Sequence, residues 1–202
     1  GYANLGALLM AMGLPYDSEA GQLMCGQITS LMCGQAYHMS GLIADVKGPF
    51  KGYTVNQEPM LRVLEKHTDE AEEIYRNAVE KGVYDETLLG YSRMVWNDAL
   101  NVARRHGVRN SQVTVLAPTG TIAFLMDCDT TGVEPELALI KYKKLVGGGV
   151  LKLVNNQVPV ALKILGYRPN EIEDISAYLI EKETIEGAPH LREEHLPVFD
   201  CS

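Results

Sequence analysis

The stretch at residues 110–122 reads Asn-Ser-Gln-Val-Thr-Val-Leu-Ala-Pro-Thr-Gly-Thr-Ile, and here the pattern of the sequence changes most clearly. Its middle part, residues 112–117, is short, apolar and rich in β-branched side chains, which predicts a buried strand. Residues 118–120 then predict a tight turn, and residues 119–126 return to helical character. Because buried strands alternate with helices in this interpretation, we predict an α/β fold that is rich in helix.

The Pro-Thr-Gly turn, defined as residues 118–122, contains residue types that suit an anion. The start of a helix leaves N–H groups unpaired and carries a partial positive charge. Gly120 lets an anion approach the backbone closely, and Thr119 and Thr121 add hydroxyl donors. Pro118 fixes the direction in which the chain enters the turn, which ends at Ile122. The same pattern also occurs where a turn merely caps a helix, and the chain contains no Walker loop. From the residues alone, phosphate binding and plain capping are both open.

Composition and charge restrict the kinds of partner. The chain has 202 residues, 46% of them hydrophobic, and a formal net charge of -8. A nucleic-acid-binding surface needs a basic face, so a nucleic-acid partner is not expected. The negative balance repels a phosphorylated ligand at long range. Any anion site must therefore be local, built from backbone N–H groups and a helix start.

Cysteine usage and hydropathy predict a soluble cytoplasmic protein without a metal site. The four cysteines, at positions 25, 33, 128 and 201, form no Cys-x-x-Cys pair and have no zinc-like spacing with histidine, so we expect reduced thiols. No apolar run reaches the roughly 18 residues of a membrane helix, and no basic segment precedes an apolar one as in a secretory signal. Both ends of the sequence fall within apolar patterns, which favours a piece of a larger protein.

Helical periodicity and capping residues define most of the remaining elements. Helices are predicted at residues 2–12, from Asp17 or Ser18 to about 46, from about 58 towards 82 with an interruption after His67 and a cap at Thr68, from Asp85 to Gly107, and at 155–165 and 170–182. A second strand is predicted at 137–145, and a loop from 187 onwards. Gly26, Ser30, Gly34 and Gly41 lie nearly along one line of the second helix. Because glycine inside a helix costs about 1 kcal/mol, this line predicts close packing there, with a neighbouring backbone very near.

Three blocks of the sequence resemble the large subunits of ribonucleotide reductases. They are residues 106–111 (His-Gly-Val-Arg-Asn-Ser), 117–122 (Ala-Pro-Thr-Gly-Thr-Ile) and 126–135 (Met-Asp-Cys-Asp-Thr-Thr-Gly-Val-Glu-Pro). Residues 141–149, Lys-Tyr-Lys-Lys-Leu-Val-Gly-Gly-Gly, are similar to the adenosylcobalamin-dependent class in particular. Residues 1–21 resemble the helix that follows the active-site loop of that family. The resemblance covers nearly the whole chain and is specific at residues 110–149.

The resemblance implies both a fold and a site. It implies that residues 1–202 are a single partial domain, the C-terminal part of a ten-stranded α/β barrel, with a helical half at 1–109 and a half with the turn and strands at 110–202. The substrate-phosphate site of the family falls on Pro118, Thr119, Gly120, Thr121 and Ile122. The parent enzyme would reduce ribonucleoside di- or triphosphates, with adenosylcobalamin as radical source and a dithiol such as thioredoxin as reductant. Its further partner is the rest of the reductase chain, and a homodimer is left open.

The chain also departs from the family pattern. The family carries its radical cysteine in an Asn-x-Cys-x-Glu loop, and that motif is absent here, so we assign no catalytic residue and expect the isolated fragment to be inactive. Cys25 and Cys33 are expected to pack in a core. Cys128, just after the turn, is a secondary candidate for a redox role. A non-catalytic, helix-rich binding or assembly module, in which the turn only caps a helix, is the alternative function.

Two further positions keep open alternatives. Glu134 lies between Val133 and Pro135, where its carboxylate could orient a substrate hydroxyl or could serve only a structural turn. The lysines at 141, 143 and 144 form a small basic patch. This patch is either a solvated strand face or a contact for nucleotide phosphate or cobalamin.

Overall fold

The computed structural model describes residues 1–144 and 146–202 and shows a chain made mainly of helices. The elements are α1 (Leu5–Ala11), α2 (Glu19–Lys47), α3 (Tyr53–Lys81), α4 (Glu86–His106), α5 (Gly120–Leu125), β1 (Ile140–Lys144), β2 (Val150–Val154), α6 (Gln157–Ile164), α7 (Pro169–Lys182) and a 3-10 helix (Glu193–Phe199). They form two compact units, the first of residues 22–115 with Gly1, and the second of residues 2–21 and 116–202. Those bounds differ from the halves at 1–109 and 110–202, and membership of one larger domain stays a prediction.

The first unit consists of α2, α3 and α4. The hydroxyl of Ser18 accepts the backbone N–H of Gly21 at 3.0 Å, so α2 begins where the capping pattern predicts. The carboxylate of Asp85 caps α4 by accepting the N–H of Leu88 at 2.8 Å, and α4 ends at Gly107 as expected. The core lies along these helices. Its buried side chains are Tyr37, Tyr53, Leu64, Ala71, Val95, Trp96, Ala99, Leu100, Ala103 and Val108.

The line of small residues on α2 packs closely against α4 and, at Gly26, against Ile74 of α3, which confirms close packing there. A Cβ atom on Gly34 would lie 2.7 Å from Cγ1 of Val95, and one on Gly41 would lie 2.5 Å from Cγ1 of Val102. One turn before Gly34 on this line, the hydroxyl of Ser30 accepts the indole N–H of Trp96 at 3.0 Å. The nearest atoms are side chains and not the neighbouring backbone that was expected, so large residues on α3 and α4 occupy the space that small residues leave on α2.

Two expectations for the first unit are wrong. The helix at 58–82 begins earlier, at Tyr53, and continues through His67 without interruption. Thr68 does not cap a new segment, because its hydroxyl donates to the carbonyl of Leu64 one turn earlier, at 2.9 Å. The strand predicted at residues 112–117 is irregular chain, and its side chains at Val115 and Leu116 are 66% and 43% exposed.

The second unit contains a two-stranded antiparallel sheet with helices α1, α6 and α7. Ile140 pairs with Val154 and Lys144 with Val150, and the loop between the strands uses positive φ at Gly147 and Gly148. The strand predicted at 137–145 is therefore shorter, with Leu145 outside the described residues, and β2 was not predicted. The buried core includes Met10, Leu139, Ile140, Val158, Leu162, Ile175, Leu179 and Phe199.

The remaining boundaries of the second unit follow the predictions more loosely. Helix α7 begins with Pro169 at its first position, and α6 begins two residues later than expected. Residues after 187, predicted as loop, include the 3-10 helix Glu193–Phe199. The helix-rich part of the predicted fold class is confirmed, and the strands of the described residues form this single hairpin.

Candidate functional site

The Pro-Thr-Gly turn leads into α5, as predicted, through a strained residue. Thr119 precedes the helix with φ 51° and ψ 23°, in the left-handed region that β-branched residues rarely adopt. Its Oγ1 atom is buried and finds no hydrogen-bond partner among the described residues. An unsatisfied buried hydroxyl on a strained backbone is costly, and such features cluster at ligand sites.

Open space lies in front of the turn. A Cβ atom on Gly120 would meet nothing within 4 Å, and the side chain of Ile122 is 56% exposed. The first N–H groups of any helix have no partner within that helix, and here they start at Gly120. The helix is short, and its first internal bond runs from the N–H of Ala123 to the carbonyl of Thr119 at 2.7 Å. All five predicted phosphate-site residues therefore lie together on this one turn.

A small cavity opens beside the turn within the second unit. Its volume is about 70 Å³. Pockets that hold whole small-molecule ligands are about 300–1,000 Å³, so the cavity can receive one small group and cannot hold a nucleotide. Its lining residues are Gly120, Ala123, Phe124, Asp127, Cys128, Asp129, Thr131, Lys141, Leu153, Val154 and Asn156.

Cys128 lies on the wall of this cavity, at the C-terminal end of α5. The N–H of Cys128 donates to the carbonyl of Ala123 at 2.9 Å, after Asp127 has taken a positive φ of 55°. All four cysteines are free thiols. Cys25 and Cys33 are half-buried on α2, and the Cys33 sulfur accepts the hydroxyl of Thr114 at 3.4 Å. Burial raises the pKa of the Cys25 thiol, which disfavours the reactive thiolate there.

The three lysines of β1 have different surroundings. The Nζ of Lys141 contacts both oxygens of Glu136, at 2.8 and 3.1 Å, and also donates to the carbonyl of Asp129. The Nζ of Lys143 lies 3.6 Å from the ring centre of Phe124, in a cation–π contact. Lys144 is exposed. The cavity thus has one lysine on its wall, and the charge of that lysine is balanced by a buried carboxylate.

Glu136 is the centre of a polar network that sequence reasoning missed. Its side chain is 2% exposed, and its carboxylate also accepts the side-chain N–H of Asn155 and the backbone N–H of Leu137. Asp129 belongs to the same region and holds the start of α6, since it accepts the backbone N–H of Asn156 at 2.9 Å and the side-chain N–H of Gln157 at 2.7 Å. These acids hold the cavity wall in place.

The carboxylate of Glu134 is directed into its own turn. It accepts a hydrogen bond from the hydroxyl of Thr131 at 3.1 Å, and its pKa is lowered by its own backbone N–H, by this hydroxyl and by the nearby N–H groups of Gly132 and Val133. A carboxylate held by so many donors stays ionised. This geometry favours the structural role over the orientation of a substrate hydroxyl.

The described residues contain no group of three or more His, Cys, Asp or Glu side chains placed to hold a metal ion. The helices of residues 1–144 and 146–202 include none that is long and apolar enough to cross a membrane.

Comparison with known proteins gives matches over the whole chain. The family model described as the barrel domain of ribonucleotide reductase matches residues 1–202. A protein of Rhodopirellula baltica named vitamin B12-dependent ribonucleotide reductase is 49% identical over 202 residues, which are 100% of this chain and 19% of that protein. Proteins of the same name from Streptomyces coelicolor and Streptantibioticus cattleyicolor are each 48% identical over the full chain, which covers 20% and 33% of them. The chain therefore spans between a fifth and a third of the length of these relatives.

Proposed function

Because this chain belongs to the ribonucleotide reductase family, with the barrel domain as the matching region, we propose that it is part of an enzyme that reduces ribonucleotides to deoxyribonucleotides. Its share of the work is to bind the substrate phosphates at Pro118, Thr119, Gly120, Thr121 and Ile122. In the whole protein the chain supplies the C-terminal part of a ten-stranded α/β barrel. The chemistry at the ribose belongs to a radical cysteine loop that these 202 residues do not contain.

One observation carries this proposal: the buried, unpartnered hydroxyl of Thr119 on a strained turn that opens into free space. A phosphate oxygen would accept that hydroxyl and the N–H groups at the start of α5. Plain helix capping would instead have the Thr119 hydroxyl bonded to a backbone N–H of the first turn, and no such bond occurs at α5 within the described part of the chain.

The names of the relatives support a cobalamin cofactor in the parent. We propose that the parent uses adenosylcobalamin as radical source, together with a dithiol such as thioredoxin as reductant. We assign the cofactor to none of the residues of this chain. The cavity beside the turn is far smaller than a corrin ring, and the lysine on its wall, Lys141, is already paired with Glu136. Cys128, a free thiol on the cavity wall, remains a secondary candidate for a redox role.

The test uses the full-length reductase with Thr119→Val and Thr121→Val. Each change removes a hydroxyl donor and keeps the shape of the side chain, so we expect the KM for the ribonucleotide to rise about tenfold or more, with a small change in kcat. Thr119→Val should leave the melting temperature unchanged or higher, because its hydroxyl loses no bond in the empty protein. Thr54→Val, at an exposed position on α3, is the control.

An unchanged KM in both turn variants would contradict the assignment of the phosphate site. Direct titration of this chain with nucleoside di- and triphosphates gives an independent result. Binding that disappears with Gly120→Val supports a ligand at the turn, because a valine would fill the space in front of it. No binding by either nucleotide would favour the non-catalytic module.

A further inference from the structure

The turn at Thr131–Glu134 lies directly against the residue that precedes the phosphate site. A Cβ atom on Gly132 would lie 2.3 Å from the carbonyl oxygen of Ala117 and 2.9 Å from Oε2 of Glu134. No residue larger than glycine fits between these two groups without a shift of the backbone. Ala117 is bonded to Pro118, so the position of Gly132 limits where the Pro-Thr-Gly turn can begin.

The other side of this turn is held by α1. The N–H of Leu5 donates to the carbonyl of Gly132 at 3.4 Å, and a Cβ atom on Gly6 would lie 2.8 Å from the carbonyl oxygen of Glu134. Nearby, the N–H of Asn4 donates to the carbonyl of Thr131 at 2.6 Å. The turn is thus packed between α1 and Ala117, and a change in its shape must move one of them.

The shape of the turn depends on the carboxylate of Glu134. Its Oε2 atom accepts the hydroxyl of Thr131 at 3.1 Å and lies 2.9 Å from the position that a Cβ atom on Gly132 would take. The hydrogen bond therefore joins the two ends of the turn across Gly132. Without the negative charge, the hydroxyl of Thr131 would donate to a weaker acceptor, and the closure of the turn would loosen.

We propose that Glu134 is a positioning residue for the substrate phosphates: its carboxylate shapes the turn at residues 131–134, and Gly132 on that turn sets the position of Ala117 and of the Pro-Thr-Gly turn. The inference rests on the proposed function, because it assigns a residue that positions the same phosphate site. Glu134 itself does not touch the substrate. Its carboxylate already accepts the hydroxyl of Thr131 on its own turn, and a carboxylate in contact with a phosphate would repel it.

The experiment compares two ligands of the full-length reductase, a ribonucleoside diphosphate and the same nucleoside without phosphate. Glu134→Gln keeps the size of the side chain and removes its charge. We expect the diphosphate to bind about tenfold more weakly, well below the roughly hundredfold effect that a 1 Å misplacement can have on a reaction. The affinity for the nucleoside should stay within about twofold, because only the phosphates meet the displaced turn.

Matched variants complete the test. Glu173→Gln, at an exposed position on α7, should leave both affinities unchanged. Thr131→Val removes one donor to the Glu134 carboxylate, and we expect a smaller loss for the diphosphate alone, whereas Thr131→Ser keeps the hydroxyl and should behave like the native protein. If Glu134→Gln does not fold, the pair of Thr131 variants decides the question. An equal loss for both ligands, or no loss, would overturn the positioning role.

The same assay separates this inference from the function beneath it. If Thr119→Val weakens the diphosphate and Glu134→Gln does not, the phosphate site stands and the positioning role fails. If neither Thr119→Val nor Thr121→Val discriminates between the ligands, the phosphate site itself is wrong. If both proposals hold, the double variant Thr119→Val/Glu134→Gln will lose less binding free energy for the diphosphate than the sum of the two single variants, because both changes act through one turn.

Discussion

Among single residues, Lys141 illustrates how a buried charge depends on its partner. Glu136, with a side chain 2% exposed, has Lys141 as its counter-ion, and Lys141 is 24% exposed. Removing one member of a buried pair leaves the other charge uncompensated, which costs about 3–5 kcal/mol. We predict that Lys141→Met lowers the free energy of unfolding by about that amount at neutral pH, measured by urea denaturation with circular dichroism.

Two comparisons make the result specific. Lys152 also pairs with a glutamate, Glu183, but this pair lies at the surface, with side chains 34% and 47% exposed, so Lys152→Met should cost much less stability than Lys141→Met. Lys141→Met combined with Glu136→Gln should recover much of the stability, because no charge is then left buried. Equal and small losses for Lys141→Met and Lys152→Met would show that the buried carboxylate is stabilised by Asn155 and the backbone alone.

The residue scale also shows what the sequence hides. The lysines at 141, 143 and 144 stand out as a basic patch, and a solvated face or an anion contact are the two interpretations of their pattern. Lys141 fits neither interpretation, because it pairs with Glu136, a buried glutamate in the loop before β1. Glu136 has no periodic or motif signal. Its burial depends on a partner, Asn155, that lies 19 positions away in the sequence.

At the scale of elements, the glycines of two helices are expected to respond in opposite directions. Gly90 on α4 faces open space, so Gly90→Ala should stabilise the protein by about 0.5–1 kcal/mol through helix propensity alone. Gly34 on α2 faces Val95 and Trp96 at 2.7–3.1 Å, so Gly34→Ala should destabilise it by about 1–3 kcal/mol through overpacking. Thermal unfolding of the purified chain, followed by circular dichroism, measures both.

The two variants control for each other, since each adds one methyl group to a helical glycine. Stabilisation by both would mean that α4 moves away from α2 without cost, against the close packing of the glycine line. Gly34→Ala combined with Val95→Ala frees space for the new methyl group but leaves other contacts short. We therefore expect this double variant to recover part of the stability that Gly34→Ala loses.

Elements were predictable where the signal is local. The caps at Ser18 and Asp85 and the glycine at 107 gave the ends of α2 and α4 correctly, because a cap is formed by residues within one turn of a helix end. Residues 112–117 have the composition of a strand, yet a strand also needs a neighbouring strand for its backbone hydrogen bonds. Here Thr114 instead contacts Cys33 of α2.

At the scale of the whole molecule, the family is clear from the sequence and the barrel is not visible in the chain. Specific blocks at residues 106–149 were sufficient to indicate ribonucleotide reductase, which the match over residues 1–202 confirms. A closed barrel needs all of its strands to pair around a ring, whereas the described residues contain one hairpin of two strands. Large side chains such as Leu125, 86% exposed, are also without the cover that a barrel would give. The ten-stranded barrel therefore stays a proposal for the full-length protein.

The chain contains the proposed phosphate site but lacks the loop that carries the radical cysteine, and this leads to a prediction for the chain by itself. Reduction at the ribose requires a radical cysteine, and the chain lacks the Asn-x-Cys-x-Glu loop in which the family carries it. We predict that the purified 202-residue chain, supplied with adenosylcobalamin, a dithiol and a ribonucleotide, forms no deoxyribonucleotide above the background without protein. The full-length reductase in the same chromatographic assay is the control, and titration of the chain with the ribonucleotide shows whether the turn still binds it. Binding without turnover is the expected combination, because a phosphate site needs only local backbone and hydroxyl groups, whereas the reaction needs a thiyl radical.

Turnover by the chain alone would mean that one of Cys25, Cys33, Cys128 or Cys201 can carry the radical, and Cys128, on the cavity wall, would be the first to replace with serine.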